Sequence, residues 1–324
     1  MEIQRNILIV ALVALSFVLY QRWQVFQQEY VLENVMPTQT RDFLTNEGIP
    51  EVSEIIAQRD NEIPSTPEQE NLTSVVEVEI GAGSVINITT DLVRAKIDTV
   101  GGSVVFLELI EEPVSIEEPD IGYKLFKIPS TARAQDSFVA RGGLIGRDAS
   151  FPNHHTVFQS EYSSYELLDE TLRVPLSWID ERGVEYIKEF IFHRDSYVVD
   201  VNYVIKNTLT NQISVYPYAQ LSRSEPAENS GSGFGRLPSY LGAVIYTDEE
   251  KYQKVDFGDM DDENIKVQTS NGWAAMIEHY FVAAWLPRRG QEKELYSAVS
   301  NSGLRTIYSI GYKALEPTII AAGQ

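Results

Sequence analysis

No cysteine occurs in the 324 residues. That excludes disulfides, thiolate metal ligands and a cysteine nucleophile together, and a chain of this length buries enough apolar surface to fold without covalent staples. Positive charge is scarce as well: 26 Lys and Arg face 47 Asp and Glu, a formal net charge of −21. A surface so acidic repels phosphate backbones and anionic headgroups, which excludes a nucleic-acid partner. Only four histidines are present, and no nucleophile elbow, P-loop or zinc-protease helix occurs anywhere. After Tyr20 no stretch is apolar enough to span a bilayer.

The one long hydrophobic run is "RNILIVALVALSFVLYQRWQVF", Arg5 to Phe26. Between Arg5 and Arg22 it carries no charge, and at 1.5 Å per helical residue it covers about 24 Å of a hydrocarbon core roughly 30 Å thick. Ile3 on one side and Tyr20, Trp23, Val25 and Phe26 on the other supply the missing turns. Arg5, Tyr20, Arg22 and Trp23 are the expected anchor flanks, with Arg22 snorkelling and the rings at headgroup level. A cleavable signal ends in a small-x-small site. Here Ala11 and Ala14 lie within the run and bulky Phe17, Leu19 and Tyr20 follow, so residues 1–26 are expected to stay as a transmembrane anchor. The positive-inside bias places the N-terminus in the cytoplasm and the remaining chain beyond the membrane.

Residues 27–72, rich in Gln, Glu, Asn, Thr and Pro, read as a disordered tether, most clearly at "NEIPSTPEQENLT". From Val75 onward the pattern becomes period-two alternation broken by turns. In "YVVDVNYVIKN" Val199, Val201, Tyr203 and Ile205 share one face while Asp200, Asn202 and Lys206 share the other, as in a half-buried antiparallel strand. The strand before it groups Tyr186, Phe190 and Phe192, and "HRDS" and "DERG" supply the hairpin turns. Further strands are expected over 85–88, 92–99, 104–110, 172–179, 213–222, 241–246, 274–285 and 306–312. Many short strands with hardly any amphipathic helix predict an all-β fold, one large antiparallel β-sandwich over residues 73–324. Gly101 and Gly102 suit a tight hairpin that needs positive φ, and Trp273, Tyr280, Phe281 and Trp285 are expected to fill core between sheets.

Chemistry is sparse. His154 and His155 in "FPNHHTVF" point to opposite faces if the segment is a strand, so they read as polar loop residues. His193 and His279 have no carboxylate partner by spacing. "DFGDMDDENIK" lacks the glycine and closing glutamate of a calcium loop and reads as a solvated acidic turn. "SRSEPAENSGSGFGRLPSY", Ser222 to Tyr240, is a long glycine-rich loop, and Ser222, Gly231, Gly233, Phe234, Gly235 and Tyr240 are its candidate partner contacts. No catalytic, metal or cofactor site is expected.

Five stretches resemble the bacterial YidC membrane-insertase family in order and spacing: "QRNILIVALVALSFVLYQRW", "TDLVRAKIDTVGGSVVFLEL", "GLIGRD", "YTDEEKYQKVDF" and "NGWAAMIEHYFVAAWLP". The resemblance implies an inner-membrane protein with a large periplasmic domain, a β-supersandwich similar to mutarotase-like proteins, between its first two transmembrane helices. It implies nascent inner-membrane proteins as clients, and the Sec translocon with its SecD/SecF accessory as partners. In the family, insertion belongs to later helices and their groove arginine. The sequence ends at Gln324, within the expected final strands of the domain, so residues 1–324 are expected to hold the anchor and an incomplete periplasmic domain without the insertase core. The alternative, a periplasmic carbohydrate-binding or epimerase-like domain, needs a histidine acid and a carboxylate base converging in one pocket.

Overall fold

The computed structural model describes residues 64, 83–128, 136–147, 151–224, 240–278, 280–302 and 305–324. The expected anchor with Arg5, Tyr20, Arg22 and Trp23, and nearly all of the tether, lie outside the described residues, as do Gly231, Gly233, Phe234, Gly235 and His279. Among the described residues no helix is long and apolar enough to cross a membrane.

In chain order the described elements are β1 (Val85–Thr89), β2 (Val93–Asp98), β3 (Ser103–Ser115), β4 (Glu118–Phe126), β5 (Phe138–Ile145) and β6 (Ser164–Glu166). Then follow β7 (Thr171–Ile179), β8 (Glu185–His193), β9 (Val199–Lys206), β10 (Ile213–Ser224), β11 (Leu241–Thr247) and β12 (Lys251–Val255). The helix α1 (Phe257–Asp262) precedes β13 (Lys266–Thr269), β14 (Gly272–Glu278), β15 (Phe281–Trp285), β16 (Lys293–Ser302), β17 (Arg305–Ala314) and β18 (Thr318–Ile320). An 11-stranded sheet runs β13-β16-β17-β10-β5-β3-β2-β1-β6, with β18 on β10 and β4 on β3. Two smaller sheets, β12-β11-β14-β15 and β7-β8-β9, pack against it.

Period-two alternation explains this layering. β1 and β2 bury every second residue, and β9 alternates half-buried with exposed along its whole length. Ile86, Ile88, Val93, Ala95 and Ile97 of the large sheet meet Val174, Leu176, Phe190 and Phe192 of the three-stranded sheet in one core. Phe138, Ala140, Leu221 and Ile310 meet Ala243, Ile245, Ala274, Met276 and Ala283 of the four-stranded sheet in another. Along β10 one face serves two clusters: Leu221 joins the core beneath the four-stranded sheet, and Ile213 and Val215 join a further core with Leu144, Phe151, Val184 and Tyr186. The long central strand therefore ties both halves of the sandwich together.

The hairpin glycines behave as the turn demands: Gly101 has φ 75° and Gly102 φ 54°. Elsewhere the sequence reading needs correction. Residues 274–285 hold two strands, β14 and β15, because the chain reverses between Glu278 and Phe281, which pair with each other. Tyr280 at that reversal is 89% exposed and fills no core. Trp273 is half-buried, its ring stacked on Tyr246 at 5.7 Å and 5°, while Phe281 and Trp285 do pack against the first core. The acidic "DFGDMDD" is a helical turn, α1, because Met260 is buried and Phe257 stacks on Tyr308 one turn away. One pair, β1 with β6, is parallel in an otherwise antiparallel structure.

Candidate functional site

The described histidines do not form one centre. Residues 154–155 lie in a turn, so the two-face argument for a strand does not apply and the rings meet at 4.2 Å. His154 is buried, and its Nδ1 lies 2.7 Å from the Tyr218 hydroxyl; the loop position expected for it holds, but its ring is packed into the interior. His193 pairs with Asp200 at 2.8 Å across β8 and β9, a partnership that sequence spacing concealed. Both side chains are exposed on the sheet surface. Among the described residues no group of three or more His, Cys, Asp or Glu side chains can hold a metal ion.

Three buried polar arrangements organise the interior. The first centres on Lys188, 2% exposed, which shares a strand face with Tyr186, Phe190 and Phe192. Its ammonium donates to the carbonyls of Gly101, Gly102 and Gly142 at 2.9, 2.9 and 3.0 Å. Burial pulls this amine from its ordinary 10.5 down to about 7. One side chain thereby pins the β2–β3 hairpin and β5 to β8. A charge at apolar parity in "EYIKEFIFH" was the signal available in the sequence.

The second is a hydrogen-bonded row on the large sheet. Tyr296 donates to Gln220 Oε1 at 2.7 Å, Gln220 Nε2 donates to Ser222 Oγ at 3.3 Å, and Ser222 Oγ meets Ser309 Oγ at 2.9 Å. Burial holds the Tyr296 hydroxyl well above its ordinary range, so it remains a donor and supplies no base. Ser222, expected as a partner contact, is thus a buried member of this row.

The third is ionic. Arg223, 1% exposed, donates through Nη1 to Glu278 Oε2 at 2.7 Å, and Glu278 is itself 7% exposed. Lys127 lies 3.5 Å from Glu278 and 2.6 Å from Asp136, and Arg223 Nη2 lies 3.5 Å from Asp136. Two cations thus balance two anions, and the two buried members, Arg223 and Glu278, are paired with each other as buried charges require. Burial raises the Glu278 pKa, but the hydrogen bond and charge of Arg223, with Lys127, outweigh it and hold the carboxyl below the usual range. Burial, then Glu278, push the Tyr123 hydroxyl far up.

This cluster sits at a junction of the chain. Lys127 and Asp136 flank residues 129–135, Arg223 precedes 225–239, and Glu278 precedes 279. The two ends of the glycine-rich segment are fixed independently. Ser224 N–H donates to Ser137 O at 3.0 Å, and Ser137 N–H donates to Ser224 Oγ at 2.8 Å. Tyr240 donates to Ala243 O at 2.7 Å, accepts from Val255 N–H at 3.2 Å, and lies under Lys254 at 4.4 Å. Ser224 and Tyr240, the described residues on either side of 225–239, are therefore each held by hydrogen bonds to neighbouring strands or loops.

Fold and interior together define a β-sandwich domain whose buried charges tie strands together. The YidC periplasmic domain family matches residues 85–324. The membrane protein insertase YidC of Pseudoalteromonas atlantica is 34% identical over 320 residues, covering 98% of this chain and 55% of that protein. That of Nitrosococcus oceani is 37% identical over 293 residues, covering 89% and 50%. A galactose mutarotase-like protein from Lactobacillus casei aligns in structure with a TM-score of 0.41 at 12% identity, over 74% of this chain and 96% of that one. The chain belongs to the YidC membrane protein insertase family, and residues 85–324 are its periplasmic domain. It spans about half the length of the curated relatives it matches.

Proposed function

We propose that this chain supplies the periplasmic scaffold of an inner-membrane insertase and acts without catalysis of its own. Its N-terminal run is a retained anchor, residues 27–72 a tether, and the sandwich a platform that recruits or positions nascent inner-membrane proteins and the Sec translocon with SecD/SecF. The observation that carries this reading is the family match over the whole sandwich, extended by 34% identity through the N-terminal region. The length and glycine content of residues 225–239, between the hydrogen-bonded Ser224 and Tyr240, support a docking role for that segment, because long loops on a folded domain commonly carry binding residues. N-terminal sequencing of membrane-extracted protein tests the anchor: a start after Ala14 removes it. For the platform, residues 225–239 are replaced by a short Gly-Ser link in the full chain and co-purification of translocon components is measured. Loss of SecD/SecF is expected; an unchanged yield overturns the docking role.

A further inference from the structure

Unpaired strand edges invite pairing with other chains, and proteins ordinarily blunt them with charge, proline, bulges or brevity. Most free edges here obey that rule. β12 carries Lys251 and Lys254, β7 carries Pro175 and Arg173, and β9 presents Asp200, Asn202 and Lys206. β13 and β6 have only four and three residues, and β4 carries Pro119 and irregular register. β15, "FVAAW", is different: among the described residues it is an edge strand paired with β14 alone, in unbroken register, without charge or proline. Its outward face is apolar, with Val282 57% exposed and Leu286 just beyond the strand 66% exposed. Beyond Leu286 and Pro287, outside the paired strand, come exposed Arg288 and Arg289, neither in an ion pair with a described acidic residue, on a chain of net charge −21.

We infer that β15 accepts an extended segment of a second polypeptide as an added strand, and that this segment is apolar with a carboxylate-bearing flank that meets Arg288 and Arg289. Main-chain bonds along the edge supply the affinity, the apolar face takes alternate side chains, and the arginines set the register. The inference rests on the insertase reading above for its occupant: client segments translocated across the membrane are poor in Lys and Arg, which is the composition this strip accommodates.

The probe is a fluorescein-labelled peptide of six alternating Thr and Val residues with Asp-Asp at one end or the other, titrated against the full chain and read by anisotropy. Val282→Lys installs the guard that the other edges have, at an exposed position that leaves the core intact, and is expected to weaken binding at least about tenfold. Arg288→Glu with Arg289→Glu is expected to weaken the Asp-flanked peptide about fivefold and to strengthen a Lys-Lys-flanked one similarly. Binding that V282K leaves unchanged, or a flank preference that the reversal does not move, overturns the proposal. So does a concentration-dependent dimer abolished by V282K in the absence of peptide binding, which assigns the edge to a second copy. A photoreactive residue at position 284 in cells separates the two readings. Peptide binding together with a client crosslink there supports both, and peptide binding with no client crosslink anywhere on the domain overturns the insertase reading while the strip stands.

Discussion

Glu278→Gln removes one charge from the ionic cluster with almost no change of shape. Among the described residues the Arg223 guanidinium, 1% exposed, then keeps one acidic partner, Asp136 at 3.5 Å, which is already engaged by Lys127 at 2.6 Å. At an effective dielectric of about 20, a 2.7 Å contact is worth roughly 6 kcal/mol of gross attraction. Stranding one partner of such a buried pair typically costs about 3–5 kcal/mol, because the remaining charge stays desolvated. We expect a loss in that range for Glu278→Gln in urea unfolding of the full chain. The double variant Arg223→Met with Glu278→Leu should recover most of it, giving a coupling of at least about 2 kcal/mol in a double-mutant cycle. The pH dependence has a definite sign. A carboxyl depressed in the folded state contributes stability above its ordinary value of 4.5, and that contribution is lost as pH falls through the lower folded value. The acid limb should therefore flatten in the double variant. A single-variant loss below about 1 kcal/mol at unchanged m-value, or strict additivity, would refute a buried pair holding this junction.

Three further outcomes follow from the interior and the membrane reading. Burial lowers the Lys188 pKa to about 7, so the cost of its charge is present in full below that pH and is relieved as pH rises toward 10.5. The three carbonyls favour the ammonium and oppose this, so wild-type stability relative to Lys188→Met should rise by about 2–3 kcal/mol between pH 7 and 10; a flat difference contradicts the depressed amine. Gly101→Ala forces a side chain into positive φ and against the His154 carbonyl, which should cost about 2–4 kcal/mol in the same unfolding assay. A polypeptide of residues 1–324 alone in liposomes should not insert a small single-span client above the protein-free level, because one uncharged span encloses no polar groove to lower the cost of moving polar groups. Insertion above background would place activity in this segment.

Strands with clean alternation were legible: β1, β2, β7, β8 and β9 follow from period two alone, and the β2–β3 hairpin from its paired glycines. β5 and β16 were not, because "FVARGGLI" and "KELYSAVSNS" are buried on both faces or mix small polar residues, so alternation vanishes. The run 274–285 concealed the reversal between Glu278 and Phe281, since only Glu278 and His279 interrupt its apolar residues and it holds no Gly, Pro, Asn or Asp to mark a turn. Of the interior sites, Lys188, Arg223 and Glu278 each stand at apolar parity within a strand, a readable sign of a buried charge. Their partners lie far away in sequence, 55 positions for Arg223 and Glu278 and 87 for Lys188 and Gly101, and no local pattern encodes such pairings. α1 was missed because its acidic residues dominate a segment whose fold is decided by Phe257 and Met260.

The central claim is that this sandwich is a platform for membrane-protein biogenesis, and in-cell crosslinking tests it most directly. Photoreactive residues are placed one at a time at 231, 234, 240, 282 and 284, and at 202 on the charged β9 face as a control, in the full chain in its native membrane. The account predicts adducts with translocon components from 231–240, adducts with nascent inner-membrane proteins from 282 and 284, and little from 202. Adducts that are absent from all five test positions, or as frequent at 202, would contradict it.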